Sequence, residues 1–451
     1  MEKHLKNKAE YYLPVVSLLV LCGTLLMRVS KTGWIPFGVE QYQHITASQN
    51  IGLFSNLLHI LGSFAQDIRF FMLLPVLSGV ISIYLFNMAL KHYNKRTSII
   101  ASLFLILFPA YIYTFTTFNS FILAIPLTLL GHIMLNKNYR YSATVLFAAV
   151  IFINLPATIV MLLSVTLRIA KNNYARHFVV LLFFTVCYNI LFVLAKGVPK
   201  NVFFERPNSL NEAFAIFGGL NSFTLVPVVV AIAGFFVTWK NKRKLYPIYL
   251  GFVLLLAWFI FIDTSVAIFM ACAVAFFAAC GLQQYFASEE KPWVFPVVRQ
   301  VTMVVILLGV LFSAYGFVDR VTSIEPTKNT VTCLQSLHGS GKVLSLPENG
   351  YWIEYYGQQK AYLTKDYHDT AKLEQKLNLT ARVFESRDLD DTTTMLKNNS
   401  IENIFITSEM TQGRVWEERN EGLLSLLENN ETFKKLCSNQ DAETWEFLKL
   451  R

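Results

Sequence analysis

The sequence predicts a polytopic α-helical membrane protein with about eleven transmembrane helices, followed by a small carboxyl-terminal exoplasmic α/β domain. Of its 451 residues, 54% are hydrophobic and only 15% are charged, a composition typical of membrane proteins. Windows of the roughly 20 apolar residues that span a bilayer recur up to Val318 and then stop. Beyond that point the pattern changes to short strands that alternate with helices.

The first four predicted spans are Tyr11 to Met27, Phe70 to Leu90, Ser98 to Phe115 and Ser120 to Leu135. The apolar stretch from Tyr141 to Leu167 is too long for one ordinary span and short for two. Asn154, Leu155 and Pro156 lie at its middle, and proline removes a backbone donor and disfavours helix in the residue before it. We therefore expect two short helices in this stretch.

Basic residues follow the loops on one side of the predicted membrane. Residues 1–319 contain 23 Lys and Arg against 10 Asp and Glu, whereas residues 320–451 contain 16 against 20. With Lys3, Lys6 and Lys8 on the cytoplasmic side, sixteen of the 23 fall in alternate loops, as the positive-inside rule requires. The net charge of +9 is thus a topology signal and predicts no nucleic-acid partner. The amino terminus is expected in the cytoplasm of a multi-pass protein, most simply in the cell membrane.

We assign residues 1–319 to a transmembrane domain with outer loops at 28–69 and 196–220, and residues 320–451 to the exoplasmic domain. Predicted strands are KVLSL, KAYLT, NIFIT, FKKLC and TWEFLKL, separated by helices in YWIEYYGQQ, DTAKLEQKLN, LDDTTTMLKN and VWEERNEGLLSLLENN. Sequons at Asn378, Asn398 and Asn430 fit an exterior surface. Cys333 and Cys437 could form a disulfide in an oxidising exterior or remain two free thiols, and the sequence does not decide between these alternatives.

Acidic residues of the membrane part collect on the predicted outer face. Six of its ten carboxylates lie there: Glu40, Asp67, Glu205, Glu212, Asp263 and Asp319. Carboxylates at a membrane boundary are costly unless they are solvated, paired or bound to a cation. We treat Glu212 and Asp319 as ordinary loop charges. Glu40 and His44 would share one helical face, as a metal or phosphate site requires, and a solvated surface pair is the alternative.

Residues 38–51, GVEQYQHITASQNI, resemble the first outer loop of the C-superfamily (GT-C) membrane glycosyltransferases related to the catalytic subunit of archaeal oligosaccharyltransferases. The pattern there is approximately G-x-D-S-Y-Y-H-L-R-x-A. Gly38, Tyr42 and His44 match it, and Glu40 stands in place of the aspartate. The resemblance implies that Glu40 is a catalytic, metal-associated carboxylate.

Two further segments resemble the same family. VFFERPNS is similar to a loop with a glutamate shortly before proline, which makes Glu205 the residue that contacts acceptor or metal. Residues 343–363 are similar to the outer-domain segment V-x-S-W-W-D-Y-G-Y-W-I and place Glu348, Asn349, Tyr351 and Trp352 on the acceptor side. The W-W-D-Y-G core itself is missing, which puts recognition of an acceptor sequon in doubt. The loop TFTTFNSF also lacks the carboxylate of the family's second acidic motif.

The resemblance implies a glycosyltransferase that moves a sugar or oligosaccharide from a polyprenyl phosphate or diphosphate, such as dolichyl phosphate, to an exoplasmic acceptor. Protein asparagine, as in protein glycosylation, and a glycan are the candidate acceptors. Glu40 would serve as general base or metal ligand and His44 would orient it or touch phosphate. A divalent metal, Mg or Mn, would be held by Glu40, Glu205 and Asp67, with Asp263 as an alternative ligand. Lys200 and Arg206 would offset phosphate charge, and ordinary loop solubility is the alternative for these two residues. A transporter or flippase of lipid-linked glycan and an inactive scaffold are the alternatives.

Overall fold

The structure is a computed structural model in which two compact units are described separately. The first unit contains the apolar helices up to residue 312, and the second contains residues 326–448. The described ranges are 2–32, 68–117, 119–154, 157–162, 179–185, 225–239, 242–261, 266–286, 304–312, 326–364, 370–418 and 420–448, with a few single residues between them.

The membrane unit is built from helices whose bounds follow the apolar stretches of the sequence. They are α1 (Glu2–Thr32), α2 (Ile68–Lys91), α3 (Lys95–Leu107), α4 (Pro109–Thr116), α5 (Phe121–Asn136), α6 (Arg140–Ile153), α7 (Leu225–Thr238), α8 (Lys242–Phe261) and α9 (Ala267–Phe286). Further helical residues occur at 157–162, 179–185 and 304–312.

Three helices in the described ranges are long and apolar enough to cross a membrane: Glu10–Ser30, Met72–Lys91 and Ala267–Gln284. The bent pair α3 and α4 makes a fourth if it forms a single span. Large apolar side chains such as Leu19 and Tyr84 are exposed on these helices, as expected of residues that face lipid. The total of about eleven spans and the sidedness of the loops stay predictions.

The predicted span from Ser98 to Phe115 consists of two helices that meet at a bend. Helix α3 ends at Leu107, and α4 begins at Pro109 after a bend of 66°. Proline favours an extended conformation in the residue before it, and Phe108 has φ −73° and ψ 133°. The amides of Tyr111 and Ile112 donate to the Phe108 carbonyl at 3.0 Å each, so the break begins a new helix directly.

The predicted break at Asn154 is confirmed. Helix α6 ends at Ile153, Asn154 is extended, and residues 157–162 are helical again. The Asn154 side chain caps the new helix, because its Oδ1 accepts a 2.8 Å hydrogen bond from the amide of Ala157. Its Nδ2 donates to Ser120 Oγ at 2.7 Å, which ties the break to the start of α5.

Helices α7 and α9 cross at a pair of glycines. A Cβ atom added to Gly234 would lie 1.8 Å from the carbonyl oxygen of Phe277, and one added to Gly281 would lie 2.6 Å from the carbonyl oxygen of Val230. The two backbones therefore touch, as small residues permit in membrane helix pairs. Phe235, Tyr249 and Phe277 pack edge to face or tilted beside this crossing.

The second unit is a five-stranded mixed sheet with helices. Its elements are α10 (Lys328–Gln335), β1 (Lys342–Leu344), α11 (Gly350–Tyr356), β2 (Lys360–Ala361), α12 (Thr370–Glu385), α13 (Leu389–Asn398), β3 (Ile401–Thr407), α14 (Gly422–Leu427), β4 (Phe433–Ser438) and β5 (Ala442–Phe447). The strand order is β2-β1-β3-β5-β4. Strand β1 runs parallel to β2 and β3, and β5 runs antiparallel to both β3 and β4.

Side chains of the central strands alternate between two cores. Ile404 and Ile406 of β3 join Trp445 and Phe433 in the larger core, whereas Phe405 joins Val343 and Cys333 on the opposite face. Each of the five strands overlaps a predicted segment, although β3 and β5 begin two residues before theirs and β4 ends one residue after its own. The helix predicted over VWEERNEGLLSLLENN is restricted to Gly422–Leu427. Trp416 is drawn into the larger core instead, where its Nε1 donates to the Phe384 carbonyl at 2.9 Å.

Cys333 of α10 and Cys437 of β4 form a disulfide, which decides between the two alternatives that the sequence left open. The bond joins residues 104 positions apart and lies against the smaller core. The asparagines of the three sequons, Asn378, Asn398 and Asn430, are all exposed.

We expect Gly234→Ala to destabilise the membrane unit by about 1 to 3 kcal/mol, because the added methyl group forces the α7 and α9 backbones apart. Thermal unfolding of the purified full-length protein in detergent measures the effect. Gly23→Ala is the matched control, since a Cβ atom there meets nothing within 4 Å and alanine favours helix. If the two variants unfolded at the same temperature, the close contact between the α7 and α9 backbones would be contradicted.

Replacing both Cys333 and Cys437 by serine should lower the stability of the α/β unit by about 4 to 5 kcal/mol in the chain-entropy description of a long closed loop. Denaturant unfolding followed with and without a reducing agent tests this. Reduction should destabilise the parent protein and leave the double variant unchanged. A parent protein that is insensitive to the reductant would contradict the disulfide.

Candidate functional site

The predicted donor-side residues lie outside the part of the chain that the structure describes. They are Glu40, His44, Asp67, Lys200, Glu205 and Arg206. Their roles stay predictions, and so does the convergence of the two outer loops. The structure does describe two segments to which the resemblance draws attention: the turn after α4 in the membrane unit, and the acceptor-side segment of the α/β unit.

Arg28 is a buried cation at the end of α1, which the sequence analysis placed in an outer loop. Helix α1 continues to Thr32, and Arg28 is only 1% exposed. Its Nη1 donates to Thr116 Oγ1 at 3.0 Å and to the Thr116 carbonyl oxygen at 3.3 Å. A buried guanidinium is costly unless it is hydrogen-bonded, so these bonds explain why it lies against the end of α4. The sequence gives no signal that Arg28 and Thr116 are in contact, because threonine carries no charge that would mark it as the partner of an arginine.

The turn after α4 is a network of neutral polar side chains. Thr116, Thr117 and Asn119 are buried. Asn119 Nδ2 donates to the Thr114 carbonyl and to Thr117 Oγ1, both at 2.9 Å, while its Oδ1 accepts from the amide of Phe121 at 3.0 Å. This network closes the turn and begins α5. It occupies the place where the resemblance predicts a second acidic motif, and the sequence supplies no carboxylate there.

The turn is unsuited to a divalent cation. Its hydroxyl and amide oxygens are neutral and already accept hydrogen bonds, and the Arg28 guanidinium beside Thr116 would repel a second positive charge. Across the described ranges, no group of three or more His, Cys, Asp and Glu residues forms a cluster that could hold a metal ion. The predicted metal ligands Glu40, Glu205 and Asp67 lie outside those ranges, so the metal site stays a prediction.

The acceptor-side segment turns from β1 into α11. Asn349 is 5% exposed, and its Nδ2 donates to Ser345 Oγ at 2.9 Å, so its amide helps to fix the turn. Tyr351 is also buried, against Trp352, Tyr355 and Tyr356. Glu348 and Trp352 are half-buried and retain surface. Gly350 is required because a Cβ atom there would lie 2.4 Å from the Leu363 carbonyl oxygen.

Glu354 is a further carboxylate in this segment that the sequence analysis did not single out. Burial raises the pKa of Glu354 above its ordinary value, while the Ala361 amide and the charge of Lys360 act in the opposite direction. Burial likewise raises the pKa of the neighbouring Tyr355. The only signal in the sequence is one acidic residue within the aromatic run YWIEYY.

We predict that Thr116→Val lowers the stability of the membrane unit by about 1 to 3 kcal/mol, because it leaves the buried Arg28 guanidinium without its hydroxyl acceptor. Thr114→Val is the matched control. Thr114 is also buried and makes the same type of bond to the carbonyl four residues earlier, without the arginine. Thermal unfolding of both full-length variants measures the difference, and an equal loss would contradict a role for the arginine contact.

No protein-family profile and no curated protein sequence matches this chain. Its fold does match solved structures. The oligosaccharyltransferase of Archaeoglobus fulgidus in the apo form matches with a TM-score of 0.58 at 12% identity, over 93% of this chain and 73% of that one. The same protein matches with TM-scores of 0.55 in complex with Zn and sulfate, and 0.52 when tethered with an acceptor peptide containing the NVT sequon.

Two other membrane glycosyltransferases match over nearly the whole of this chain. ArnT from Cupriavidus metallidurans, bound to undecaprenyl phosphate, has a TM-score of 0.53 at 12% identity and covers 96% of this chain and 97% of its own. The arabinofuranosyltransferase AftD from Mycobacteria has a TM-score of 0.51 at 15% identity, over 99% of this chain and 40% of its own. This chain therefore has the fold of the GT-C membrane glycosyltransferases, which confirms at the level of fold the resemblance inferred from its sequence.

Proposed function

We propose that this protein transfers a sugar or oligosaccharide from a polyprenyl phosphate or diphosphate to an acceptor on the exoplasmic side of the membrane. The observation that carries the proposal is the agreement of two independent features. The chain has the GT-C fold over 93% of its length, and its first predicted outer loop contains Gly38, Glu40, Tyr42 and His44 at the family's spacing.

The donor follows from the membrane location of the fold. A polyprenyl chain stays in the bilayer, so the phosphate that it carries has to meet the enzyme at the membrane boundary. The structure of ArnT bound to undecaprenyl phosphate supports a donor of this chemistry. Cleavage of the anomeric bond leaves negative charge on phosphate, and we assign Lys200 and Arg206, in the same predicted loop as Glu205, to offset it.

The acceptor is the less defined partner. The oligosaccharyltransferase tethered with an acceptor peptide supports a peptide, and protein asparagine is one candidate. In this chain the W-W-D-Y-G sequence is absent, and Asn349 and Tyr351 are turned into the protein. Contact with an acceptor at this segment would therefore fall to Glu348 and Trp352, with Asn349 and Tyr351 holding the turn.

The proposal includes a divalent metal, whose ligands would all come from the predicted outer loops. Glu40, Glu205 and Asp67 would hold it, and Mg or Mn would supply positive charge that stabilises the leaving phosphate. The related oligosaccharyltransferase in complex with Zn and sulfate agrees with a metal in that protein. The residues of this chain would act as follows: Glu40 positions or deprotonates the acceptor, and His44 orients Glu40.

We further propose a topology with the amino terminus in the cytoplasm and the α/β unit on the exoplasmic side of the cell membrane. The basic loops of the sequence, the exposed sequon asparagines and the disulfide all support this arrangement. Reporter fusions after residues 40 and 451 would both have to report the exterior.

Glu40→Gln should reduce glycosyl transfer at least about a hundredfold, because a positioned general base typically contributes that much or more. The assay uses purified full-length protein in lipid nanodiscs and a labelled polyprenyl-linked sugar, with and without Mg or Mn after treatment with a chelator. Glu212→Gln is the control, since it removes a carboxylate that we assign to ordinary loop charge.

Donor binding is measured in the same preparations to separate the alternatives. Undiminished transfer by Glu40→Gln would remove the assignment of that residue. A parent protein that binds the donor and never turns it over would be a scaffold. Movement of intact donor across a sealed bilayer, without transfer, would identify a flippase.

A further inference from the structure

A concavity of about 220 Å3 opens in the α/β unit where β3 ends and the β4–β5 hairpin turns. Most of the side chains that line it are polar, among them Gln412, Glu428, Lys435, Gln440 and Glu443, and the indole ring of Trp445 also lines it. None of its lining residues belongs to the segments assigned above to donor, metal or acceptor. The proposed transfer reaction therefore leaves this feature unexplained.

The floor of the concavity is a fixed group of three side chains on one face of the sheet. Lys435 of β4 lies opposite Trp445 of β5, and its Nζ is 4.5 Å from the centre of the indole ring. The same Nζ lies 3.5 Å from Glu443 Oε1, and Trp445 Nε1 donates to Glu443 Oε2 at 3.2 Å. The cation, the carboxylate and the ring hold one another in place, so the floor is formed before any ligand binds.

The rim carries side chains that are not used by the fold. Gln412, Glu428 and Gln440 are exposed, and the described residues make no hydrogen bond to their side chains. The backbone positions of Gln412 and Gln440 are nevertheless defined by turns. Gly413, with φ 103°, turns the chain directly after Gln412. At the hairpin, Asn439 Oδ1 accepts from the amides of Asp441 and Ala442 at 3.0 and 2.9 Å, which places Gln440 at the tip.

The chemistry of this lining suits the hydroxyl groups of a sugar. Amide groups and carboxylates offer both donors and acceptors within one small space, and an indole ring lies beneath them. The volume is below the roughly 300 to 1,000 Å3 of pockets for drug-sized ligands, which indicates a single ring rather than a longer chain segment. Two carboxylates against one ammonium group disfavour an anionic ligand such as a phosphate.

We propose that the concavity between the end of β3 and the β4–β5 hairpin binds one neutral sugar unit of a glycan. A peptide is the less suited occupant, because the lining has few apolar surfaces on which side chains could be buried. The inference is separate from the proposed transfer reaction, since it concerns binding by residues that take no part in that chemistry.

The test uses the purified full-length protein and a panel of neutral saccharides that contains free hexoses, N-acetylhexosamines and pentoses. Saturation-transfer NMR identifies the saccharide that binds, and a titration gives its Kd. We expect the double variant Gln412→Ala and Gln440→Ala to weaken binding by about tenfold or more, since two hydrogen-bonding groups are lost. Glu443→Gln should weaken it as well, because it removes the charged acceptor of the floor.

Gln375→Ala is the matched control, because Gln375 is an exposed glutamine of the same unit that does not line the concavity. Thermal unfolding confirms that each variant is folded. Glu40→Gln should bind the saccharide as the parent protein does, so failure of the transfer proposal and failure of this one are distinguishable. Absence of saturable binding at millimolar concentrations, binding that the double variant leaves unchanged, or displacement of the saccharide by peptides alone would overturn the inference.

Discussion

Where a helix breaks in buried, apolar surroundings, the backbone groups that the break frees have to find hydrogen-bond partners. Three described breaks do this with groups from the chain itself. The Phe108 carbonyl begins α4 immediately after α3 ends, Asn154 caps the helix that follows α6, and Asn119 bridges the turn between α4 and α5. The architecture of the membrane unit depends on these local solutions, because they fix where each helix begins and in which direction it runs.

The same constraint explains the position of Arg28. The end of α4 presents the Thr116 carbonyl and hydroxyl, and a guanidinium can donate to both in one plane. The arginine therefore joins α1 to the turn where the sequence resemblance predicts acidic residues. In this region a buried cation and neutral acceptors stand in place of the carboxylate that the resemblance predicts.

Much of the fold could be predicted from the sequence where one short-range rule acts alone. Alternating apolar residues placed all five strands, and Asn154 with Pro156 placed a helix break. The bend at Phe108 has an equally local signal in Pro109, but the surrounding apolar run hid it. Arg28 and Trp416 were misplaced because their positions depend on partners 88 and 32 residues away, Thr116 and Phe384. For the candidate site, the motif at Glu40 could be recognised only by its resemblance to a family. The sugar-sized concavity could not be predicted from the sequence, because the residues that line it come from separate elements.

The order of the strands in the α/β unit has a consequence for biosynthesis. Strand β5 follows β4 in the chain but lies between β3 and β4 in the sheet. Among the described strands, β4 pairs only with β5, and β3 pairs with β1 on one edge and with β5 on the other. While the ribosome still holds residues 442–447, β4 has no strand to pair with, and the edge of β3 that will pair with β5 is open. Maturation of this unit is thus deferred until β5 emerges, and a nascent chain arrested before residue 442 would expose unpaired strand edges to quality-control proteases.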